Sequence, residues 1–257
     1  MTRADLACLI CGDFRNHKSI ESIYEVLFNK LSNYESRIDK LLRDDNVDDL
    51  TVLGPYLART VLETTCTAII GRLDPFRIIS LRNVQSLSNF SLGNKSTSAI
   101  SWSGDVFGKN ETTTNLWSPD KDISKIERVL LGRYYGEMYW NPSYKKMLDD
   151  NTISNEMALE YYRTVVEDPE RFILYLRSES SRIYSSLSKG VHSELVIAEE
   201  VVYDKTTVSV LISDTIKLCS VLGYLSHYID TVICRLPIDN ALASFNSIDI
   251  WREELSE

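Results

Sequence analysis

The sequence predicts an all-α fold, a multi-helix bundle. Apolar residues recur at three- and four-residue steps along residues 19–43, which is the spacing of one continuous stripe on an α-helix. Proline follows a cap-type residue at several places, a pair typical of a helix start: Gly54-Pro55, Asp74-Pro75, Ser118-Pro119, Asn141-Pro142 and Asp168-Pro169. The chain shows neither alternating strand and helix patterns nor a glycine-rich phosphate loop. We therefore expect roughly eight or nine packed helices, with more than half of the residues helical.

The first half of the chain contains three predicted long helices. The first covers residues 19–43 and ends at Asp44-Asp45-Asn46, where the apolar stripe stops. A second helix is expected to begin near Gly54-Pro55 and to run to about Arg72, and a third to open at Asp74-Pro75. Residues 88–118 are rich in Ser, Thr, Asn and Gly and lose the helical period, which predicts an irregular insertion or loop.

The second half continues the helical pattern. Helices are expected from Ser118-Pro119 through Leu130 to Met138, from Asn141-Pro142 to Leu148, and from Ser154 onward. The helix that opens at Asp168-Pro169 carries an apolar stripe of Phe172, Leu176, Ile183 and Leu187.

The end of the chain is the most apolar part. Residues 195–203 are rich in β-branched residues, which favours a short strand or an extended connector. We expect at most one small sheet element in the chain, within 88–118 or 195–203. Thr206 or Thr207 is expected to cap a long helix that ends before Pro237, followed by one or two short helices near Trp251. Charges inside the stretch 208–234 predict a buried core helix with no membrane span. We expect residues 1–257 to form a single helical domain.

Composition narrows the classes of function. The 28 Lys and Arg residues against 37 Asp and Glu residues give a net charge of −9. So acidic a chain lacks the general attraction that drives non-specific nucleic-acid binding, which favours protein or small-molecule partners, although RNA remains possible at a local basic groove.

Cysteine usage and the N-terminal sequence predict a cytoplasmic protein. The five cysteines are an odd number in a chain that is not small, which argues against a disulfide framework. The first residues lack the apolar core of a secretory signal. Cys8 and Cys11 have zinc-ligand spacing, but no second pair completes a four-ligand site. We therefore expect no metal and no cofactor, and we place both cysteines on a short N-terminal helix.

The segment from Tyr184 to His192 carries the most chemistry. If it stays helical, Tyr184, Ser188 and His192 lie four apart on one face, and Gly190 is a natural terminator. His192 would then lie near a helix C-terminus, where the dipole favours imidazolium. Such a histidine can act as an acid, a base or a phosphate contact. Alternatively, the three side chains form a buried polar cluster that joins two helices.

A second pair of polar residues lies on the early helix. Arg59 and Glu63 are four residues apart and are surrounded by apolar residues, so we expect a partly buried ion pair. Because these charges are set in an apolar helix, we expect the pair to lie near the 184–192 segment, within about 10 Å, the distance beyond which sites normally behave independently.

The two patterns together resemble a group of uncharacterised bacterial helical proteins. The patterns are Arg-x-x-x-Glu at Arg59 and Glu63, and Tyr-x-x-Leu-Ser-x-x-Val-His at 184–192. The bundle of that group is similar to the HEPN superfamily, which includes abortive-infection proteins and toxin ribonucleases. The resemblance covers residues 55–72 and 169–195 and implies a HEPN-like core in which both patterns form one cluster.

One departure from that superfamily bears on activity. HEPN ribonucleases carry Arg-x(4–6)-His. Here the nearest arginine before His192 is Arg182, and nine residues lie between them. The usual catalytic motif is therefore absent.

Three functions remain open at this point. The first is a binding or regulatory component of a bacterial defence system, of the anti-phage or toxin–antitoxin type, that acts with a protein partner or as a homo-oligomer. The second is a metal-independent ribonuclease that uses His192. The third is a purely structural subunit. The candidate catalytic residues are His192, Arg59 and Glu63, and the candidate binding residues are Tyr184, Ser188, Arg182 and Lys189.

Overall fold

The computed structural model describes residues 4–44, 46–91, 129–150, 168–189 and 203–254. Of these residues 81% are helical and none forms a strand, so the predicted all-α bundle is confirmed. The described ranges contain eight α-helices: α1 Asp5–Cys11, α2 Glu21–Arg43, α3 Val47–Leu73, α4 Pro75–Gln85, α5 Asn141–Asp149, α6 Pro169–Lys189, α7 Lys205–Ser226 and α8 Ile238–Glu254. The predicted helix from Ser154, the residues 92–118 of the predicted insertion and the residues 195–202 of the predicted connector lie outside the described residues.

The centre of the bundle is the parallel pair α3 and α7. Gly54 faces Val208 near the start of both helices, and Arg72 reaches Ser226 at their ends. Residues that are distant in sequence thus form the main interface. Most residues of α7 from Val208 onward are buried there. Among the described residues, every buried hydrophobic residue except Val129 and Tyr134 belongs to a single cluster.

The remaining helices pack around this pair. The α2 helix runs antiparallel to α3, since the Tyr24 hydroxyl near its start donates to the Ala68 carbonyl near the end of α3 at 2.6 Å. The α8 helix runs antiparallel to α7, with Phe245 against Tyr224 and Arg252 against Ser213. The short α1 helix covers the ends of α3 and α7.

The apolar stripes predicted for α2 and α6 form as expected. On α2 the buried residues include Tyr24, Leu31 and Ile38. On α6 the four predicted stripe residues are buried: Phe172, Leu176, Ile183 and Leu187. The start of α6 at Pro169 also agrees with the prediction from Asp168-Pro169.

The predicted start of α3 at Gly54-Pro55 is wrong. The helix begins at Val47, where the Asn46 side chain accepts a hydrogen bond from the Asp49 amide at 3.2 Å, and Pro55 lies inside the helix. Gly54 has a different role, because a Cβ atom there would lie 2.6 Å from Val208 Cγ1. The glycine lets α3 approach α7, and the burial of neighbours such as Leu50 and Leu57 offsets the hydrogen bond that proline removes.

The region before α5 also differs from the prediction. Residues 129–132 form a turn, with Gly132 extended at a ψ of 167°, so the helix predicted from Ser118-Pro119 to Met138 is wrong at these residues, whereas residues 133–138 are helical. A helical turn Arg133–Tyr135 and a π-helical turn Gly136–Trp140 then lead without a break into α5, so Asn141-Pro142 opens no separate helix. The Trp140 indole donates to the Leu130 carbonyl at 2.6 Å, which holds the non-helical turn against the core.

Two further predictions at the end of the chain are corrected. Asp204, and not Thr206 or Thr207, caps α7, because its Oδ1 accepts from the Thr207 amide at 2.7 Å. One 17-residue helix, α8, replaces the one or two short helices expected near Trp251. Among the described helices, α7 alone is long and apolar enough to cross a membrane, but 72% of its most apolar window is buried inside the bundle.

A buried arginine joins the ends of three helices. The Arg72 side chain is fully buried, and its guanidinium donates to the Ile10 carbonyl at 3.1 Å, to the Ile233 carbonyl at 3.1 Å and to Ser226 Oγ at 2.8 Å. It also donates to Nδ1 of His227 at 3.1 Å. The C-termini of α1, α3 and α7 converge here, and the negative ends of their dipoles stabilise the cation.

Gly12 allows the chain to turn at this junction. It follows α1 with φ of 64° and ψ of −158°, a conformation that side chains with a Cβ atom rarely adopt. A Cβ atom at Gly12 would lie 1.8 Å from the Cys234 carbonyl oxygen, which is backbone and has little room to move.

We predict that Gly12→Ala lowers the free energy of unfolding by at least about 2 kcal/mol, because it combines backbone strain with a clash against backbone. Gly136→Ala is the matched control. A Cβ atom there would make only an ordinary contact, 3.5 Å from Ile173 Cγ2, inside a helical segment. It should be neutral or stabilise by up to about 1 kcal/mol. Urea unfolding of both variants checks the difference, and equal stabilities would contradict it.

Candidate functional site

The predicted polar residues of α3 and α6 meet in one cluster. Arg59 Nε lies 3.1 Å from Glu63 Oε1 on the same helix. Its other two nitrogens reach across to α6, where Nη2 donates to the Tyr184 hydroxyl at 2.7 Å and Nη1 donates to Ser188 Oγ at 3.3 Å. The predicted proximity of the Arg59–Glu63 pair to the segment that begins at Tyr184 is therefore confirmed.

The guanidinium of Arg59 is held in a defined orientation. Its central carbon lies 4.6 Å from the centroid of the Tyr184 ring, within the range of a cation–π interaction. Ser188 is itself oriented, because its hydroxyl donates to the Tyr184 carbonyl at 2.7 Å. Two side chains of α6 thus fix the planar group from α3, and the two helices run antiparallel at this point.

The cluster is partly open and electrically balanced. The Arg59 side chain is 23% exposed and that of Glu63 is 40% exposed. Within the described residues, three of the five guanidinium N–H groups have partners, which leaves two for a ligand. Because the carboxylate of Glu63 balances the cation, this surface can offer directed hydrogen bonds and little net positive potential.

The remaining predicted site residues have different outcomes. His192 lies outside the described residues, so its expected burial and partners stay predictions. Lys189 ends α6 and is exposed. Arg182 belongs to the opposite side of α6, where it donates to Glu179 at 2.8 Å and to Asp214 of α7 at 2.6 Å.

The Arg182 group borders a small cleft between α6 and α7. The hydrogen bonds that Arg182 donates to Glu179 and Asp214 raise the pKa of the guanidinium above its ordinary value. The cleft is lined by two carboxylates, a lysine and an aromatic and aliphatic wall: Glu179, Asp214, Lys217, Tyr175, Leu176, Ile183, Leu218 and Val221. Arg182 therefore lies apart from the Arg59 cluster, on the side of α6 that faces α7, and its charge is balanced by two carboxylates.

The cysteines do not form a metal site within the described ranges. Cys8 and Cys11 lie on α1, and all five cysteines are free thiols. Burial raises the pKa of Cys219 to about 12, which keeps its thiol protonated and unreactive at neutral pH.

Sequence reasoning missed the polar network around Arg72 and His227. Both residues are fully buried, and His227 bonds the Leu9 carbonyl through Nε2 at 2.8 Å. The available signal was a charged residue directly after the apolar run Ile69-Ile70-Gly71 and a histidine inside the most apolar stretch. This network is sealed in the core, so it holds the fold together and does not form an open site.

Comparison of the chain with protein-family models, with curated proteins and with solved structures finds no match.

We predict a measurable energetic coupling between Arg59 and Tyr184. Tyr184→Phe removes the acceptor of the 2.7 Å hydrogen bond, and Arg59→Met removes the charge. A double-mutant cycle by urea unfolding should give a coupling of about 0.5–2 kcal/mol, from the hydrogen bond and the ring contact together.

Arg182→Met paired with Tyr184→Phe is the control cycle. Arg182 lies on the same helix but engages Glu179 and Asp214, so this cycle should give a coupling near zero. Coupling of equal size in both cycles would show that the Arg59 contacts are not specific.

Proposed function

We propose that this chain is a binding or regulatory component that acts with a protein partner, in a bacterial defence system of the kind the HEPN resemblance implies. One observation carries the proposal. The Arg59 guanidinium is fixed by Glu63, Tyr184 and Ser188, and it is still partly exposed, with two N–H groups that bond to none of the described residues. A group that is ordered in advance loses less entropy when a partner binds it.

Exposed apolar residues on the same helix favour a protein as the partner. Val52 is 56% exposed and Tyr56 is 54% exposed, and they precede Arg59 by seven and three residues. Residues at these spacings share one side of a helix, so the apolar pair leads up to the guanidinium. Tyrosine and arginine are enriched among the residues that dominate the energy of protein interfaces.

Electrostatics support the same choice over RNA. Phosphate binding depends on unbalanced positive charge that releases counterions from the nucleic acid. Arg59 is balanced by Glu63, and Arg182 shares two carboxylates, Glu179 and Asp214. The whole chain has a net charge of −9. The ribonuclease alternative would therefore need a basic surface that the described residues around Arg59 do not supply.

The proposal predicts a loss of partner binding on mutation of Arg59. The tagged chain is expressed in its own host with its flanking genes, the partner is identified by crosslinking, and both proteins are purified. Arg59→Ala and Tyr56→Ala should each raise the dissociation constant at least tenfold, about 1.4 kcal/mol. Arg182→Ala is the matched control. This arginine lies on the opposite side of α6, so its replacement should change the dissociation constant little.

Two results would contradict the proposal. One is equal affinity of wild type and Arg59→Ala for the purified partner. The other is degradation of cellular RNA on expression of the wild-type chain alone, abolished by His192→Ala, which would establish the ribonuclease alternative. Growth curves and RNA integrity during expression provide that measurement.

A further inference from the structure

The connection between α7 and α8, residues 227–237, is held to the rest of the bundle by a small set of hydrogen bonds. Ile233 exchanges two of them with Arg72, donating its amide to the Arg72 carbonyl and accepting from Nε at its own carbonyl. The Asp13 amide donates to the Cys234 carbonyl at 3.0 Å. The Leu236 amide donates to His227 Nδ1 at 3.0 Å, which closes the connection on itself.

These bonds fix the protonation state of His227. Arg72 and the Leu236 amide can only donate, and both point at Nδ1, at 3.1 Å and 3.0 Å. Nδ1 must therefore be an unprotonated acceptor. The ring hydrogen is on Nε2, which donates to the Leu9 carbonyl of α1 at 2.8 Å. In this neutral form both ring nitrogens are satisfied.

We propose that His227 is an acid-sensitive clasp, whose protonation releases the 227–237 connection from α1 and α3. A proton on Nδ1 turns the acceptor into a donor that faces two other donors, so the bonds to Leu236 and Arg72 are both lost. The imidazolium would also lie directly beside the Arg72 guanidinium in the core. The device is independent of the Arg59 cluster.

Among the described residues, no carboxylate is in direct contact with His227 to compensate the new charge. The titratable groups around His227 and Arg72, from every element packed on them, are Arg72 of α3, Cys11 of α1, Tyr24 of α2, Asp13 after α1, and Cys234 and Arg235 of the connection. Burial first, and then the charge of Arg72, holds the pKa of His227 well below its usual value of 6.5.

The backbone of the connection also favours release. Cys234 has φ of 57°, the left-handed region that costs a non-glycine residue free energy. Cys234 is held in this conformation by the bond from the Asp13 amide to its carbonyl and by the bonds of its neighbour Ile233 with Arg72. Once the bonds at His227 are lost, relief of the backbone strain at Cys234 favours the open form.

The sign of the pH dependence follows from the direction of the pKa. In the open form His227 titrates near its usual value of about 6.5, whereas in the closed form its pKa is lower. The open form therefore binds the proton more tightly. The open-to-closed ratio should be constant above about pH 7.5 and rise as the pH falls through 6.5. Its rise approaches tenfold per pH unit below about 5.5, down to the pKa of the closed form.

We predict that the protection of the Cys234 thiol falls as the open-to-closed ratio rises. The native chain is labelled with 4,4′-dithiodipyridine, which reacts at mildly acid pH, and each rate is divided by that of the unfolded chain at the same pH. Protection of Cys234 should fall about fivefold between pH 6.5 and 5.5, because half of the open form is already protonated at pH 6.5. Cys66 and Cys219, buried on α3 and α7, are the internal controls and should keep their protection.

His227→Gln removes the titration but keeps a donor and an acceptor. In this variant the protection of Cys234 should not change between pH 7.5 and 5.5. If the variant does not fold, the comparison of Cys234 with Cys66 and Cys219 in the wild-type chain still tests the proposal. Constant protection of Cys234 in the wild type, or an equal loss at Cys234, Cys66 and Cys219, would overturn the proposal.

Discussion

The burial of Arg72 is the constraint on which the rest of the bundle depends. A guanidinium in the core must find acceptors, and in the described ranges it takes backbone carbonyls, a serine and a histidine in place of a carboxylate. Those acceptors belong to α1, to the end of α7 and to the connection before α8. The requirement therefore brings three helix C-termini to one point and sets how far α7 can extend.

This junction and the glycine contact near the other end determine the geometry of the α3–α7 pair. With Gly54 against Val208 at the start and Arg72 against Ser226 at the end, the two helices stay close over their length. The α6 helix packs on both of them and is bonded on both sides, by Arg59 from α3 and Asp214 from α7. The Arg59 cluster is thus positioned by a rigid frame, and its small exposed edge is set by packing.

The sequence pattern predicted some of the site and not the rest. Arg59, Glu63, Tyr184 and Ser188 could be placed on two helices by their spacing, and their meeting was expected from the resemblance. Arg182 could have been separated from them by the same argument, because it precedes Tyr184 by two residues, a spacing that places it on the opposite side of a helix. Its bond to Asp214 of α7 agrees with that position. The Arg72–His227 network had only the signal of polar residues next to apolar runs, which does not show what they bond, since its partners are drawn from α1, α3, the end of α7 and the 227–237 connection.

The sequence by itself determined that the chain is helical and which faces of α2 and α6 are buried, because apolar periodicity is a local property of each helix. Only the tertiary structure decided what Gly54-Pro55 does. A local reading makes the pair a helix start, whereas close packing on Val208 makes it the interior of α3. It also decided which polar residues are sealed and which stay at the surface, because burial of Arg72 or exposure of Arg59 depends on helices distant in sequence.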